Sequence, residues 1–463
     1  MLFNLVLAFF AFAQYALAAT HSLERRVKTL SPSNDPFYQP PSGWEDKQPG
    51  DILRERKVNL AFLEVDEYKY KEAYQLLYRT TGAYENEPSH TVTTVIVPHN
   101  ATSNQLVNYL IYTDANGARC APSYTMRLGG RLANDLSLTY QQLLLGSYLD
   151  QGYIMTIPDY QGPTRGFAAG RMEGRMSLDG IRATLNFERL GLKKHTKVVS
   201  HGYSGGAIAS GWSAALHPSY ASEINAVGFS MGGTPANLSS TVESLDGGLF
   251  AAFALTGIAG IVWTYPEVMK SVKSRFTEKG ETAFSFARSH CMYDALLKFP
   301  LSRLLSNDFI KGGKGLLHEP EVKAVVQDLV LGLKKNETPT APVYMYHGQH
   351  DEVIPYNDAA KAARQWAHRG ADVLFQDYTD VASGHVVSEL LSIPNILFFA
   401  RDRFQGKSFA KGYKRKTSYN GLDDIHAAAQ GLQSLVSAIQ DLIGKKVGEG
   451  DSLLQNDIKQ HAN

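Results

Sequence analysis

The sequence predicts an α/β fold in which helices cover both faces of a mainly parallel sheet and a mostly helical cap is inserted. Short apolar segments alternate with amphipathic ones along much of the chain, as strands and helices do in parallel sheets. This alternation stops at residue 235 and returns at residue 339, which indicates an insertion. Hydrophobic residues make up 44% of the 463 residues, enough for a sizeable core.

The first part of the core, residues 51–234, follows an extended lead-in at 20–50 that is rich in proline and serine. Segments that are enriched in β-branched and aromatic residues and bounded by turn residues predict strands, and longer amphipathic segments predict helices. We expect strands at 73–79, 91–97, 107–113, 153–158 and 197–200, and helices at 136–150 and 177–190.

The insertion, residues 235–338, shows helical patterns and few strand signals. Its segment 248–263 is apolar throughout, which favours a buried helix in a cap over a lipid-facing pocket. A membrane span is the alternative, but the segment is short and rich in glycine. The second part of the core, residues 339–405, returns to strands at 342–346 and 372–378 with a helix at 358–367.

The N-terminus predicts a secreted, extracellular protein. Residues 1–19 form an apolar stretch that closes on Ala-Leu-Ala at 16–18, the pattern of a secretory signal peptide and its cleavage site. A membrane anchor is the alternative, although the stretch is short for a span. The arginine pair at 25–26 is either a dibasic processing site or part of a charged linker.

The C-terminal residues, 406–463, combine a basic run at 407–416 with an amphipathic helix. Apolar residues at three- and four-residue spacing predict this helix over 422–443. It either packs on the surface of the domain or forms an appendage, and a role at a membrane surface or in dimerisation is the alternative.

Charge and cysteine content narrow the class of protein. The formal net charge of +1 gives no electrostatic reason to expect nucleic acid as a partner. Sequons for N-glycosylation at Asn100, Asn237 and Asn336 fit secretion. The two cysteines, Cys120 and Cys291, indicate one disulfide in an oxidising compartment, with two separate buried thiols as the alternative.

The segment Gly202-Tyr-Ser204-Gly-Gly206 has the pattern of a serine nucleophile. A serine hydroxyl reacts only when it protrudes from the backbone beside a general base. A sharp turn from a strand into a helix exposes it, and the residues two before and two after it then crowd each other and must be small. Because this segment follows a predicted strand and precedes an alanine-rich helical start, we expect Ser204 to be the nucleophile.

The expected partners of Ser204 follow in the order acid, then histidine. Asp351 lies just after the strand predicted at 342–346, where an orienting carboxylate belongs, and Glu352 is the second candidate. His385 lies in a glycine-containing loop after the last predicted strand. We expect it to take the serine proton while Asp351 orients its ring.

Three other histidines have simpler interpretations. His201 precedes the serine turn and is expected to pack in the core. His347 and His350 could form a metal pair, but the sequence shows no third cluster of ligands. The sequence therefore predicts neither a metal nor a cofactor.

An oxyanion hole needs two backbone N–H groups aimed at the charge that develops on the substrate. One is expected from Gly205, directly after the nucleophile. The other is expected from the loop after an earlier strand, where Asp114 is the candidate. The alternative for Asp114 is an Asp-Ala-Asn-Gly turn with no part in the chemistry.

Several motifs in this order resemble the fungal secretory lipases, a family of α/β-hydrolases of the lipase A type, over residues 35–405. They are Asp35-Pro-Phe-Tyr, Tyr78-Arg-Thr-Thr, Tyr112-Thr-Asp114-Ala, Cys120-Ala-Pro-Ser-Tyr124, Gly202-Tyr-Ser-Gly-Gly206, Gly232-Gly-Thr-Pro and His347-Gly-Gln-His-Asp351-Glu-Val-Ile-Pro355.

The resemblance implies a triad of Ser204, Asp351 and His385 with Asp114 and Gly205 in the oxyanion hole. It also implies a helical cap with an acyl tunnel and a Cys120–Cys291 disulfide.

The sequence therefore predicts a secreted serine carboxylester hydrolase, with a triacylglycerol lipase favoured. A deacetylating esterase of a trichothecene-type metabolite is the first alternative. The resemblance implies it, because the family of secretory lipases also includes such deacetylases, and the cap decides the substrate. A peptidase and a non-catalytic hydrolase-fold binding module are further alternatives. The expected partners are an ester substrate and, transiently, a lipid interface, with no nucleic acid and no transmembrane anchor.

Overall fold

A computed structural model describes residues 29–60, 70–130, 136–193, 195–381 and 383–419. Ten strands form one sheet in the order β1-β2-β3-β5-β4-β6-β7-β8-β9-β10. They are β1 (Ile52–Lys57), β2 (Tyr70–Thr81), β3 (Pro88–Pro98), β4 (Gln105–Leu110), β5 (Ile154–Pro158), β6 (Lys197–Tyr203), β7 (Ala226–Gly232), β8 (Val343–Gly348), β9 (Val373–Tyr378) and β10 (Tyr413–Ser418).

The sheet is mainly parallel, as the sequence predicts. Strands β4 to β10 pair in parallel, whereas β1, β2 and β3 form antiparallel pairs and β3 joins the parallel part through an antiparallel pair with β5. The carboxyl ends of β4, β6, β7, β8 and β9 therefore meet at one edge. In open α/β sheets this edge is where ligands bind.

Helices cover both faces of the sheet. One face packs against α3 (Gly170–Leu185), α4 (Gly205–Tyr220) and α11 (Tyr356–His368), and the other packs against α2 (Leu136–Asp150) and α12 (His385–Phe404). A short helix, α1 (Pro122–Thr125), follows the loop after β4. The two apolar clusters on opposite faces give the layered core that an α/β sheet requires.

The cap consists of helices inserted between β7 and β8. They are α5 (Leu238–Leu245), α6 (Ala251–Thr264), α7 (Pro266–Val272), α8 (Glu278–Ser289), α9 (Met292–Lys298) and α10 (Pro320–Asp328). Most side chains of the apolar helix α6 are buried. Within the described ranges no single helix is long and apolar enough to cross a membrane, and α6 reaches that length only with residues 266–275, across a bend of 114°.

Helix α3 begins earlier and ends earlier than the helix expected at 177–190. Its first half contains glycines, which have low helix propensity, so the sequence did not predict a helix there. The packing explains them, because a methyl group on Gly170 would lie 2.1 Å from the Trp212 ring and one on Gly174 would lie 2.7 Å from the Trp212 backbone. Close contact between α3 and α4 depends on these glycines.

The sheet extends beyond the core boundary predicted at 405. Residues of the basic run form β10, an edge strand that pairs in parallel with β9. Arg415 and Thr417 bind the buried Asp377 carboxylate at 2.6 and 2.8 Å, while other side chains of the strand face solvent. Charged side chains on an edge strand prevent it from pairing with other chains. A basic composition is therefore compatible with an edge strand, although it is not a typical strand pattern. The amphipathic helix predicted at 422–443 and the signal peptide at 1–19 lie outside the described residues.

The lead-in is not simply extended where the structure describes it. Residues Pro36–Tyr38 and Trp44–Asp46 form two short 3-10 turns. Asp35 caps the first turn by accepting the Phe37 N–H, and its carboxylate pairs with Arg56 at 2.6 Å and Arg127 at 3.3 Å. These contacts attach the lead-in to the core. The domain boundaries at 234 and 338 stay predictions.

Candidate active site

Ser204 lies at the turn between β6 and α4, at the carboxyl edge of the sheet. Its φ of 51° and ψ of −120° lie outside the regions that ordinary residues adopt, a strain typical of functional sites. Glycine is required on both sides. A methyl group on Gly202 would lie 2.1 Å from the Gly206 carbonyl oxygen, and one on Gly206 would lie 2.0 Å from the Leu110 oxygen.

His385 is the first residue of α12, and its side chain contacts Ser204. Its Nε2 lies 2.8 Å from Ser204 Oγ, and its Nδ1 lies 2.8 Å from Asp351 Oδ2. Residues separated by 181 and 34 positions in the chain thus form one continuous line of hydrogen bonds. Such a line can move a proton from the serine hydroxyl to the imidazole.

The side chain of Asp351 is fully buried, and both of its carboxylate oxygens accept hydrogen bonds. The backbone N–H groups of Val353 and Ile354 donate to Oδ1 over 2.9 and 2.7 Å, while Oδ2 accepts from His385. Burial opposes ionisation, but the charge of His385 and hydrogen bonds from histidines keep the pKa of Asp351 well below its usual range. Burial alone would lower the pKa of His385. The charge of the Asp351 carboxylate and its hydrogen bond have a larger, opposite effect, so the pKa of His385 is raised.

The backbone of His385 is fixed by two further side chains. Glu352 Oε2 accepts the His385 N–H over 2.9 Å, and the Tyr203 hydroxyl donates to the His385 carbonyl over 2.6 Å. Gly233, with a φ of 51°, makes room for the ring, because a methyl group there would lie 2.8 Å from His385 Cε1. The imidazole is therefore oriented before a substrate arrives.

Asp114 and Gly205, the two expected oxyanion donors, lie side by side. A methyl group on Gly205 would lie 1.8 Å from Asp114 Oδ1. Gly205 is the first residue of α4, so its N–H has no acceptor within the helix and lies at the positive end of the helix dipole. Asp114 adopts a left-handed φ of 53° in the loop after β4. Both residues, with Ser204, line the same cavity.

Two buried glutamates lie near this oxyanion loop. Burial raises the pKa of Glu389 to about 8 although the Tyr112 hydroxyl donates to it over 2.7 Å. Burial also raises the pKa of Glu173 well above its usual range, against the hydrogen bond from the Ala168 N–H. Burial thus favours the neutral form of both carboxyls. In that form they add little negative charge where an oxyanion would form.

An apolar cavity extends from Ser204 into the cap. Phe253, Ile258 and Ile261 of α6 form one wall, and Val322 and Val326 of α10 form another. Because most of its lining residues are apolar, the cavity suits a hydrocarbon chain better than a polar substituent.

A family model described as Secretory lipase matches residues 127–412, more than half of the chain. The chain belongs to the secretory lipase family. Lipases hydrolyse carboxylic esters, so this family member is a carboxylic ester hydrolase and its substrate is an ester.

Curated relatives and solved structures agree with this family. The chain is 51% identical to the secreted triacylglycerol lipase LIP3 of Malassezia restricta over 448 residues, 96% of each chain. It is 58% identical to the secreted triacylglycerol lipase LIP5 of Malassezia furfur over 378 residues, 82% of this chain and 99% of the relative. Candida antarctica lipase A in its closed state superposes with a TM-score of 0.80 at 28% identity, over 90% of this chain and 96% of that one.

A disulfide between Cys120 and Cys291 joins the core of this secretory lipase to its cap. Cys120 lies six residues after Asp114, and Cys291 directly precedes α9. The bridge therefore ties the loop of the oxyanion candidate to a cap helix. The alternative of two separate buried thiols was wrong.

The remaining predicted residues lie away from Ser204 or have other roles. His201 is buried in β6 with its Nδ1 3.1 Å from Ser230 Oγ, as expected of a packing residue. His350 is exposed. Asn100 and Asn336 are exposed and Asn237 is half-buried, and their glycosylation stays a prediction.

Sequence reasoning missed several residues that hold the site of this secretory lipase together. Tyr203 and Glu389 received no role, His347 was considered only as one of a metal pair, and Glu352 was considered only as a second orienting acid. Glu389 follows His385 by four residues, a helical spacing that would have been a signal had α12 been predicted. Tyr203 contacts His385 across 182 positions, for which the sequence carries no local signal.

Proposed function

We propose that this chain is a secreted triacylglycerol lipase whose reaction runs through Ser204, His385 and Asp351. The observation that carries the proposal is the line of hydrogen bonds from Ser204 Oγ through His385 to Asp351, at the mouth of an apolar cavity. The names of the relatives, which are secreted triacylglycerol lipases, support the substrate class and the location.

Acylation begins when Ser204 Oγ attacks the ester carbonyl while its proton passes to His385 Nε2. Asp351 stabilises the imidazolium, and the backbone N–H groups of Asp114 and Gly205 stabilise the oxyanion. The alkoxide of the glycerol leaves with the proton from His385 Nε2. A water molecule then gives a proton to His385 Nε2 and attacks the acyl-serine. As the bond between the acyl carbon and Ser204 Oγ breaks, the proton passes from His385 to Oγ and the fatty acid is released.

The cavity favours a fatty acyl chain over an acetyl group. Its walls come from α5, α6, α7 and α10 and extend well beyond the space that a two-carbon acyl group fills. Each methylene buried there contributes about 0.8 kcal/mol, an interaction that an acetyl ester cannot make. We therefore place the deacetylating esterase second, and we infer a transient contact with a lipid interface from which the chain is drawn.

The test compares Ser204→Ala with Ser210→Ala. Ser210 is a matched control, because it is also buried in α4 and its hydroxyl binds the Ser230 carbonyl at 2.9 Å, away from His385. We expect a fluorophosphonate probe to label the parent and Ser210→Ala but not Ser204→Ala. Acid release from triacetin, tributyrin and triolein should favour the longer esters. An unlabelled, folded parent or activity on triacetin alone would contradict the proposal.

A further inference from the structure

A second histidine binds the carboxylate that orients His385. His347 lies in β8, four residues before Asp351, and is fully buried. Its Nε2 lies 3.1 Å from Asp351 Oδ2, the oxygen that also accepts from His385 Nδ1 at 2.8 Å. Two imidazoles thus share one oxygen, and two backbone N–H groups occupy the other.

The surroundings of His347 decide which ring nitrogen carries hydrogen. Nε2 also lies 3.2 Å from the carbonyl oxygen of Ile354, which can only accept, so Nε2 must carry a hydrogen and donate. Nδ1 is buried and has no hydrogen-bond partner among the described residues. A proton on Nδ1 would therefore be a buried donor without an acceptor, which costs free energy. The arrangement thus places the hydrogen of the His347 ring on Nε2.

Other charged groups face the two rings from their own sides. Glu352 and Glu389 face His385, and a negative charge on either of them raises its pKa. On the other side, the Tyr356 ring packs edge-on against His347 with ring centres 5.7 Å apart, and its hydroxyl lies 3.3 Å from Asp377. Asp351 is thus the carboxylate that joins the two rings.

We propose that His347 is a positioning residue that sets the basicity of His385 through Asp351, an inference that rests on the proposed function. Its N–H holds Oδ2 in line with His385 Nδ1 and draws part of the negative charge away from it. Without this donor the carboxylate attracts a proton on His385 more strongly. The imidazole then stays protonated to higher pH.

The experiment compares His347→Leu, which removes the donor, with His347→Gln, whose amide can reach Asp351. His347→Asn, with an amide too short to reach, replaces the leucine variant if that does not fold. We measure kcat and KM on tributyrin from pH 5 to 9. In the variants without a donor we expect the acid limb of kcat/KM to move up by about 1 pH unit and kcat to fall about tenfold at pH 7, with KM unchanged. His347→Gln should restore most of both.

His201→Leu is the matched control, since His201 is equally buried in β6, two strands from β8 in the sheet, but binds Ser230. It should lower stability and leave the pH profile in place. Fluorophosphonate labelling of the parent distinguishes a failure of the role of His347 from a failure of the proposed function. If the parent is labelled at Ser204 and the donor-free variants keep the parental pH profile, the role of His347 is overturned. If the parent is not labelled, the proposed function itself fails.

Discussion

Glu352 Oε2 accepts the backbone N–H of His385 over 2.9 Å, while the preceding residue, Asp351, binds the ring of the same histidine. His385 begins helix α12, so its N–H has no acceptor within the helix. A carboxylate at this end also interacts favourably with the helix dipole. Adjacent acids in one loop thus fix the backbone and the imidazole of His385 separately.

Replacing Glu352 by alanine should lower kcat about tenfold and leave KM nearly unchanged, because a hydrogen bond to a charged acceptor is worth about 1.5–3 kcal/mol and here it positions the general base. Glu352→Gln keeps an acceptor oxygen and serves as the control, with at least half of the parental kcat expected. Steady-state hydrolysis of tributyrin measures both. Equal kcat in the alanine variant and the parent would show that Glu352 does not position the histidine.

The Cys120–Cys291 disulfide predicts a loss of stability when both cysteines become serine. It joins residues 171 positions apart, and bridges that close long loops stabilise proteins by about 2–5 kcal/mol. We expect the free energy of unfolding, measured by denaturant titration, to fall by this amount. A reductant should destabilise the parent and leave the double variant unaffected. If parent and variant unfold at the same denaturant concentration, the bridge contributes nothing.

Glu389 predicts a stability that depends on pH. Its pKa is about 8 in the folded state against an ordinary value of 4.5. Between these values the unfolded chain releases a proton that the folded chain keeps, so the free energy of unfolding falls as pH rises, by up to about 1.4 kcal/mol per pH unit.

Glu389→Gln removes this titration and keeps an acceptor for the Tyr112 hydroxyl. Its melting temperature relative to the parent should rise from pH 5 to pH 8 and level off above pH 8. The exposed Glu321→Gln is the matched control. A constant difference between parent and Glu389→Gln across this range would mean that Glu389 is already ionised in the folded protein.

Local sequence patterns were enough to locate Ser204 and the centre of the sheet. The serine turn brings Gly202 against Gly206, four residues along the chain, so the need for a small residue at position 202 is local, whereas Gly206 also lies against the Leu110 oxygen of β4. Strands such as β5 and β9 are short apolar segments between turns, so their composition identifies them.

The supporting contacts were hidden because they depend on tertiary structure. Glu352 accepts the first N–H of α12, and the sequence predicted that residue, His385, to lie in a loop rather than at the start of a helix. Strand β10 is charged because Asp377 lies beside it and because it is an edge, and neither fact is local to 413–418. The position of the basic run in the sheet therefore could not be inferred from its composition.

Narrowing the cavity at Ile258 should change selectivity for acyl chain length. Ile258 lies in α6 and lines the cavity that begins at Ser204, so a tryptophan there fills space that a long chain would occupy. At about 0.8 kcal/mol per buried methylene, losing two of them lowers kcat/KM about tenfold. We expect Ile258→Trp to lose this factor on triolein and to keep its activity on tributyrin, while Ile258→Val keeps both. Both esters react with the same serine and histidine, so the ratio of kcat/KM on triolein to kcat/KM on tributyrin reports on the cavity alone. If this ratio does not change in a folded Ile258→Trp enzyme, the acyl chain lies outside this cavity.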